Sequence, residues 1–415
     1  MNVYLVGGAV RDELLGIEVV EHDWVVVGAT ADVLRKRGYR QVGRDFPVFL
    51  HPETNEEYAL ARTERKVSPG HTGFAVDASP DVTLEQDLAR RDLTINAMAK
   101  DQGGRIIDPW GGRRDIANRQ LRSVSDAFRE DPLRVLRTAR FAARFNELGF
   151  AVAAETMRTM AEIVGAGELE ALPPERVWQE THKALAASRP EVYFEVLREC
   201  GALERVFPEI ENLFGVPQPK RWHPEIDSGV HTLMALGVSA SLSDSTEVRF
   251  AVLMHDLGKA TTPKAMLPSH HGHGERSVQL IRDLAARLRV PRKFQALAEL
   301  VARHHGLVHR ATELKPRTIV ELLTQLDAFR QPDRFEKFLL ACEADARGRA
   351  GLQTRPYPYA DLLRLAQHAA REVGADDVRA AGLDGAELGD AIRIRRIDAV
   401  RQALRGAEAP ARRES

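Results

Sequence analysis

The chain has 415 residues, and hydrophobic and charged fractions of 44% and 29% indicate an ordinary globular protein of about two to four domains. A net charge of −1 excludes a globally basic nucleic-acid binder, although 59 lysines and arginines leave room for a local basic surface. No apolar run has the length of a bilayer span and the first residues lack a signal-peptide pattern, so we expect a cytoplasmic protein that has no membrane partner.

Short β-branched runs alternate with turn clusters in the first 120 residues, which is typical of an α+β domain. The predicted strands are residues 3–6, 24–28, 46–50, 57–63 and 105–108, with a short helix at residues 10–15. From about residue 125 the strand signals vanish, and helical periodicity takes over at residues 132–145, 176–187, 277–288 and 318–326. A stretch rich in proline and tryptophan at residues 216–224 is the predicted internal boundary.

A Gly-Gly turn at residues 7 and 8 leads into the first predicted helix. Backbone N–H groups of such a turn can approach a triphosphate where a side chain would obstruct, and Arg11 adds a charge-assisted contact. Glu21 and Asp23 follow at a strand entry, where positions i and i+2 share a face, so the two carboxylates could hold one or two Mg²⁺ ions. A plain turn and an acidic surface loop are the alternative, but the order and closeness of the two motifs favour nucleotidyl transfer.

Two basic motifs follow in the chain. Residues 90–98 are predicted to open or continue a helix, with Arg91 on a phosphate and Asp92 on a ribose hydroxyl; a surface charge mixture is the alternative. Asp131 before a proline is a strong helix start. Arginines then recur every three residues and predict one basic ridge, with a solvated basic face as the alternative. The members of the ridge are Arg134, Arg137 and Arg140.

In combination, these motifs resemble those of the class II tRNA nucleotidyltransferases, the CCA-adding enzymes and their poly(A) polymerase relatives. The Gly-Gly-x-Val-Arg-Asp-x-Leu-Leu-Gly motif, the acid-x-Asp pair, the Arg-Arg-Asp segment and the Glu-Asp-x-x-Arg segment occur in the family's order. The resemblance implies an α+β nucleotidyltransferase (polymerase beta-like) head at residues 1–123 and an all-α neck and body at residues 124–215. It also implies Mg²⁺ in the head and tRNA, CTP and ATP as partners.

The same resemblance implies a role for each motif residue. Glu21 and Asp23 hold Mg²⁺ as the catalytic pair. Many relatives carry Asp at the position of Glu21. Glu57 is a candidate third carboxylate. Asp131 and Arg134 offer a base-pair-like edge to CTP or ATP, so that the protein serves as its own template and rejects GTP and UTP. The implied nucleotide-binding residues are Gly8, Arg11, Arg91, Asp131, Arg134, Arg137 and Arg140.

A His-Asp pair at residues 255 and 256 follows an apolar run and precedes Gly-Lys. His255 and Asp256 could grip one divalent ion while His231 reaches it from a neighbouring helix, and Lys259 could steady a phosphate. The pair resembles that of HD-type domains, whose ligand set ends with a distant aspartate, and this resemblance makes Asp345 a further candidate. Other histidines stay open as ligands or as exposed side chains: His270, His271, His273, His304 and His305.

This half resembles the HD phosphohydrolase domain that one bacterial branch of CCA-adding enzymes carries. The resemblance implies 2′,3′-cyclic phosphodiesterase, 2′-nucleotidase and phosphatase activities with Ni²⁺ or Mg²⁺ as the metal. It also implies an all-α HD domain at residues 225–350 and a helical segment and tail at residues 351–415.

Three other interpretations stay open. One is a poly(A) polymerase with the same head, although such enzymes normally carry a longer basic extension; another is an HD hydrolase whose head senses nucleotides. An enzyme that adds only CC or only A is the third. We expect a monomer or a homodimer, and the wide separation of Cys200 and Cys342 predicts buried free thiols.

Overall fold

The computed structural model describes residues 1–42, 48–66, 74–374 and 385–411. The chain divides into two compact units, Met1–Val206 and Phe207–Ser415. This division lies shortly before the proline- and tryptophan-rich stretch, and the four finer domain ranges stay predictions. In the part of the chain that the structure describes, no helix combines the length and the apolarity that a bilayer crossing needs.

Among the described residues, every strand lies in the first unit: β1 (Asn2–Val6), β2 (Asp23–Val27), β3 (Arg40–Val42), β4 (Val48–Leu50), β5 (Glu57–Leu60), β6 (Thr63–Lys66), β7 (Phe74–Asp77), β8 (Ala99–Lys100), β9 (Ile106–Ile107), β10 (Gln120–Leu121) and β11 (Ala151–Val152). Seven of them form a mixed sheet in the order β3-β4-β5-β2-β1-β8-β9. Within this sheet β2 and β5 pair in parallel and the other neighbours pair antiparallel. Asp23 therefore stands at the end of a central strand.

The helices of the first unit are α1 (Gly8–Leu15), α2 (Ala31–Lys36), α3 (Leu84–Ala89), α4 (Gly112–Ala117), α5 (Leu133–Phe145), α6 (Ala154–Gly165), α7 (Pro174–Leu185), α8 (Glu191–Glu199) and α9 (Ala202–Val206). Side chains cover both faces of the large sheet because successive residues of a strand point to opposite faces. Val25 packs in one apolar cluster with Val6 and Leu88, and Val26 packs in another with Phe49. Both clusters fix the ends of β1 and β2.

Two predictions for this unit are wrong. The helix expected at residues 90–98 does not form, since α3 ends at Ala89 and only a 3-10 turn, Thr94–Asn96, follows. The segment crosses the core with consecutive buried side chains, and its Thr94 N–H bonds the carbonyl of Arg122, which a continuous helix would not allow. Strands also do not end at residue 125, because β11 pairs with β10 in parallel.

The second unit is helical over its described residues: α10 (Pro208–Glu211), α11 (Ser228–Leu242), α12 (Thr246–Met254), α13 (His273–Leu288), α14 (Arg292–Val308), α15 (Pro316–Gln325), α16 (Pro332–Arg347), α17 (Pro358–Arg371) and α18 (Gly385–Ala411). α12 is buried from Val248 to its end, and Arg249 is the one charged side chain in this buried run. It packs among α11, α14 and α16. The prediction of an α+β head followed by helices is confirmed, as is the burial of the unpaired Cys200 and Cys342.

Candidate active sites in the two units

One cleft of about 1020 Å³ in the first unit contains the nine catalytic and nucleotide-binding residues that the resemblance implies. They come from the start of α1, the entry of β2, the turn after α3 and the first two turns of α5. Ten lysine and arginine side chains and four carboxylates line this cleft. A cleft of this charge concentrates polyanions, so its electrostatics suit a nucleoside triphosphate.

The floor of the cleft is the start of α1. The helix begins at Gly8, two residues earlier than predicted, and Gly7 before it has φ +70° and donates its N–H to the carbonyl of Met98 at 3.2 Å. A Cβ on Gly7 would lie 2.8 Å from Nη1 of Arg91. Gly7, the first residue of the predicted Gly-Gly turn, thus allows the turn and brings Arg91 against it.

Glu21 and Asp23 stand on the cleft wall where β2 begins. Partial burial raises the pKa of Asp23, the charge of Glu21 raises it further, and Arg91 and His22 oppose this rise. Two carboxylates that repel each other form an all-oxygen donor set, which fits a hard cation such as Mg²⁺. Glu57 is the register partner of Asp23 on β5 but is not part of the cleft lining, so its role as a third ligand stays a prediction.

Arg11 is buried and already has protein partners. Its Nη1 donates to Oδ1 of Asn96 at 2.5 Å, its Nε donates to Asp12 at 2.7 Å, and its guanidinium packs 5.0 Å from the ring centre of Phe145. Burial lowers the pKa of Arg11, and the hydrogen bond to Asp12 opposes this effect. The side chain is therefore fixed in position before any nucleotide arrives.

Asp92 lies in the cleft, but its carboxylate is occupied. Oδ1 accepts hydrogen bonds from the Leu93 N–H at 2.8 Å and from Asn96 at 2.9 Å, and Oδ2 accepts from Nε of Arg137 at 2.8 Å. Burial raises the pKa of Asp92, but Arg137 and these hydrogen bonds outweigh burial and lower it. In the structure its oxygens hold Arg137 and Asn96, and its predicted contact with a ribose hydroxyl stays a prediction.

The arginine ridge of α5 is not a solvated face. Arg134 donates from Nη1 to the carbonyl of Ala127 at 2.7 Å and from Nη2 to that of Arg90. Arg140 is 9% exposed and pairs with Glu180 of α7. Because each guanidinium has a fixed protein partner, the ridge presents its charges at set positions along the cleft.

Asp131 starts α5 much as predicted, since its Oδ1 accepts the N–H of Leu133 at 3.1 Å. Its Oδ2 accepts from Nη2 of Arg176 at 2.8 Å. The sequence analysis missed both Arg176 and Glu180, which come from α7 and orient residues of α5. No local signal distinguishes them from other charges of an amphipathic helix.

The second unit gathers the four predicted HD residues at one buried point. Nε2 of His231 lies 3.1 Å from Oδ1 of Asp345, and Nε2 of His255 lies 3.1 Å from Oδ2 of Asp256. These two His–Asp pairs meet where Nε2 of His255 lies 3.7 Å from Oδ1 of Asp345. His255 and Asp256 follow the end of α12 rather than lying within it. These ligand types fit a divalent ion.

Orphaned polar atoms support this fit. Among the described residues, Nε2 of His255 and both oxygens of the buried Asp256 lack a hydrogen bond of good geometry, although Nζ of Lys259 lies close to Oδ2. Burial raises the pKa of Asp256, but the charges of His255 and Lys259 outweigh it and lower the pKa well below its ordinary range. A buried ionised carboxylate is costly, and Lys259 offsets part of that cost at Oδ2. A bound cation would offset more of it.

Neighbouring groups orient the ligands. Nδ1 of His255 donates to the Val252 carbonyl at 2.6 Å, and Nδ1 of His231 lies 3.0 Å from Oε1 of Glu225. Nε2 of His309 lies 2.6 Å from Oδ2 of Asp345. Such outer contacts leave Nε2 of His231 and of His255 on the side of the cluster, where it could bind a metal. Glu225 and His309 had no role in the sequence analysis.

Lys259 and the remaining histidines differ in their contacts and in their burial. Nζ of Lys259 lies 2.5 Å from Oδ2 of Asp256, and its contact with a phosphate stays a prediction. His270 bonds Thr262 and the Pro217 carbonyl, and His271 is exposed. The two that join the buried cluster are His273 and His305. Burial lowers the pKa of both, that of His305 to about 3, so both rings are neutral.

Close packing at Gly258 brings α13 to the His-Asp pair. A Cβ there would lie 2.1 Å from the carbonyl oxygen of His273 and 2.5 Å from the amide nitrogen of Ser277. We expect Gly258→Ala to lower the free energy of unfolding by about 3 kcal/mol, because backbone atoms must shift. Differential scanning calorimetry of the full chain measures this as a lower melting temperature.

Gly306 in α14 is the matched control, since a Cβ there meets nothing within 4 Å. Gly306→Ala should raise stability by about 0.5–1 kcal/mol through helix propensity alone. Equal melting temperatures for the two variants would contradict the close approach at Gly258.

Comparisons with known proteins identify the family of the chain. Three family models match the chain: the poly A polymerase head domain at residues 3–122, the probable RNA and SrmB- binding site of polymerase A at 149–214, and the HD domain at 229–333. A multifunctional CCA protein of Thioalkalivibrio sulfidiphilus is 61% identical over 402 residues, which cover 97% of this chain and 98% of that protein.

Solved structures show the same fold over nearly the whole chain. The complex of a CCA-adding enzyme with ATP has a TM-score of 0.66 and 19% identity, and the match covers 96% of this chain and 86% of that one. The Thermotoga maritima CCA-adding enzyme complexed with tRNA has a TM-score of 0.63 and 18% identity, with coverages of 98% and 91%. At such identities these two structures bear on the fold alone.

Proposed function

The chain belongs to the family of multifunctional CCA proteins, and from this membership we propose that it adds and repairs the 3′-terminal CCA of tRNA, using CTP and ATP and no nucleic-acid template. The observation that carries the proposal is the convergence of nine motif residues on one cationic cleft with two carboxylates at its wall. Because its substrate would be tRNA, we place its action in the cytoplasm.

Each part of the cleft has a task in this reaction. The oxygen of the tRNA 3′-hydroxyl forms a bond to the α-phosphorus of the nucleotide, and the bond from that phosphorus to pyrophosphate breaks. The free N–H groups at the start of α1 and the Arg11 guanidinium bind the triphosphate. Glu21 and Asp23 would hold Mg²⁺, which supplies positive charge next to the reacting phosphate.

Residues at the start of α5 would select C and A without a nucleic-acid template. Asp131 would accept from the exocyclic amine that cytosine and adenine share, and Arg134 would donate to a ring nitrogen or a carbonyl. Arg176 holds the Asp131 carboxylate, and the carbonyls of Ala127 and Arg90 hold the Arg134 guanidinium. A rigid pair of this kind favours bases of matching shape and hydrogen-bond pattern.

The direct test is extension of a tRNA that lacks its terminal trinucleotide, with labelled CTP and ATP. A product longer by three nucleotides supports the proposal. Addition of only C, only A or a long A tail would replace it by one of the alternatives, a CC-adding enzyme, an A-adding enzyme or a poly(A) polymerase.

Replacing both members of the base-reading pair should loosen nucleotide choice before it abolishes catalysis. We expect Asp131→Ala with Arg134→Ala to lower the preference for CTP and ATP over UTP and GTP by about 10- to 100-fold, the discrimination of one bidentate contact. The measurement is kcat/KM for each of the four triphosphates with tRNA as acceptor.

A matched control repeats the Asp-x-x-Arg spacing outside the cleft. Asp126 and Arg129 are exposed and do not line it. Asp126→Ala with Arg129→Ala should leave selectivity unchanged. If the Asp131 and Arg134 variant only slows all four reactions equally, the pair does not read the base.

We infer a second activity for the second unit: hydrolysis of 2′,3′-cyclic phosphodiesters, 2′-phosphates and other phosphate monoesters. The buried cluster of two imidazoles and two carboxylates supports it, because such a set holds a divalent ion that can bind a phosphate group. Two nitrogen donors favour a borderline cation such as Ni²⁺ over Mg²⁺. A chain in which only the head is active would lack this hydrolysis.

A further inference from the structure

A cavity of about 570 Å³ lies between α13, α14 and α16 of the second unit. It shares no lining residue with the cleft of the head or with the buried His-Asp cluster. Its charged lining residues are four arginines and one carboxylate: Arg282, Arg292, Arg303, Arg334 and Glu299. This excess of three positive charges stands in a chain whose net charge is −1. A concave site of this size and charge attracts anions.

The turn from α13 to α14 builds the cavity. Arg289 ends α13 in the left-handed conformation, and the next residue, Val290, donates its N–H to the Ala285 carbonyl at 2.9 Å. This tight reversal places Arg282 of α13 beside α14. Lining positions 292, 295, 296, 299, 300 and 303 follow helical spacing, so a single face of α14 supplies most of the cavity.

Glu299, the one carboxylate of the lining, is already matched by a cation. Nη2 of Arg282 donates to Oε2 of Glu299 at 2.7 Å, and Nε2 of Gln295 donates to Oε1 at 2.8 Å. Burial raises the pKa of Glu299, but these hydrogen bonds outweigh burial and lower the pKa below its ordinary value. Glu299 and Arg282 therefore neutralise each other, and the other three guanidinium groups have no counter-charge in the lining.

Arg334 of α16 carries an unsatisfied donor. Its Nη2 donates to the Leu326 carbonyl at 3.0 Å and lies 3.8 Å from Oδ2 of Asp327. Its Nε is buried and has no hydrogen-bond partner among the described residues. A buried donor without a partner is costly, and a ligand oxygen next to this guanidinium would offset that cost.

Arg292 and Arg303 also have donors to offer. Arg292 is exposed and, within the described part of the chain, its side chain forms no hydrogen bond or ion pair. Nε of Arg303 lies 2.8 Å from Oε1 of Glu275, which is outside the lining and has 69% of its side chain exposed. A surface ion pair of this kind stabilises little, so Arg303 can exchange it for a ligand.

One wall of the cavity is apolar. Val290, Ala296 and Leu300 form this apolar wall, with Val290 buried and the other two half-buried. Arginines bind phosphate oxygens in a bidentate manner and stack on the faces of flat rings. Guanidinium groups beside an apolar wall therefore suit a ligand with a phosphate chain at one end and a flat ring at the other.

We propose that this cavity binds a nucleoside polyphosphate, with its phosphates on Arg292 and Arg334 and its base on the apolar wall. The inference goes beyond the proposed function, because neither nucleotide addition nor phosphate-ester hydrolysis needs a nucleotide at this place. A polyphosphate carries several negative charges and matches three uncompensated guanidinium groups better than a monoanion does. An RNA backbone needs only a strip of cations, whereas a concave apolar wall favours a free nucleotide.

Equilibrium dialysis of the full chain with labelled GTP tests the proposal. We expect Arg292→Ala with Arg334→Ala to bind one equivalent fewer than the original protein, because the loss of two charge-assisted contacts weakens binding by about 100-fold or more. The difference between the two proteins does not depend on any GTP that the head binds. Equal numbers of equivalents would overturn the proposal.

Arg310→Ala with Arg317→Ala is the matched control, since it removes the same charge outside the cavity. Both arginines are exposed, and they pair with Glu313 and Glu321 within a helical turn. This variant should bind as many equivalents of GTP as the original protein. If it loses the same equivalent, general charge rather than the cavity holds the nucleotide, and the proposal fails.

A single surface substitution keeps the test independent of folding. Because Arg292 is exposed and has no protein partner among the described residues, Arg292→Glu should leave the melting temperature unchanged. It should weaken GTP binding at the cavity by about tenfold or more, since it replaces an attraction by a repulsion. Unchanged GTP affinity in this folded variant would overturn the proposal.

Two further ligands separate a nucleotide from other polyanions. GTP should bind to the cavity about tenfold or more tightly than inorganic pyrophosphate, because only GTP has a base for the apolar wall. Equal affinities would overturn the nucleoside part of the proposal. A single-stranded RNA of about twelve nucleotides tests the backbone alternative. If the Arg292 and Arg334 variant loses affinity for this RNA but not for GTP, the cavity binds RNA and the proposal is wrong.

Discussion

Glu21→Gln combined with Asp23→Asn should abolish nucleotide addition and leave the head folded. Amides keep the shape of the side chains but remove the charges that would hold Mg²⁺. An ion that stabilises the transition state by several kcal/mol corresponds to a rate loss on the order of 10³-fold or more. The measurement is incorporation of labelled CTP into a tRNA that lacks its terminal trinucleotide.

The same variant should be at least as stable as the original protein. The raised pKa of Asp23 means that its ionised form is disfavoured in the folded state, through partial burial and the charge of Glu21. A group with a raised pKa lowers stability at pH values above that pKa, so a neutral amide removes this unfavourable contribution. A melting temperature that does not fall at pH 7 separates lost chemistry from lost fold.

Glu18 offers the control, since it is an exposed carboxylate of the same loop and does not line the cleft. Glu18→Gln should add nucleotides at the original rate. Extension by the Glu21 and Asp23 variant within about tenfold of that rate would remove these two carboxylates from the reaction.

Local sequence signals predicted much of the head. The turn before α1, the two carboxylates at β2 and the start of α5 each depend on residues within one turn of the chain, so spacing alone placed them. The order of the motifs added the expectation that they meet in one cleft. What spacing could not supply is the partner of each charge, because Arg176 reaches Asp131 across 45 positions.

The second unit shows the same limit. The His-Asp pair was visible as a motif, whereas the contact of His305 with His273 depends on helices that pack at Gly274. The helix predicted at residues 90–98 was wrong for a related reason. Polar residues of this segment bond distant backbone and side chains instead of continuing a helix. Tertiary hydrogen bonds overrode local helical preference there.

The largest expected effect in the second unit is the loss of end repair. Removing both central ligands with His255→Ala and Asp256→Ala should abolish hydrolysis of 2′,3′-cyclic phosphates, because the buried cluster then lacks two of its four proposed ligands. The fall should be on the order of 10³-fold or more, as for other removed metal ions.

Two tRNA substrates that differ only in their 3′ end test this prediction. One is a tRNA that lacks its terminal trinucleotide and ends in a free hydroxyl; the other is the same tRNA ending in a 2′,3′-cyclic phosphate. Water must open the cyclic ester and then release the phosphate before the 3′-oxygen can attack a nucleotide. The original protein with Ni²⁺ should extend both, and the His255 and Asp256 variant should extend only the first.

His368→Ala is the control for this pair, because His368 lies on α17 with 75% of its side chain exposed and outside the described metal-binding clusters. It should extend both substrates. Extension of the hydroxyl-ended tRNA by the His255 and Asp256 variant proves that the head still works, so failure on the cyclic end isolates the hydrolase. If that variant extends both tRNAs equally well, the HD cluster does not prepare the acceptor end, and the two activities serve separate substrates.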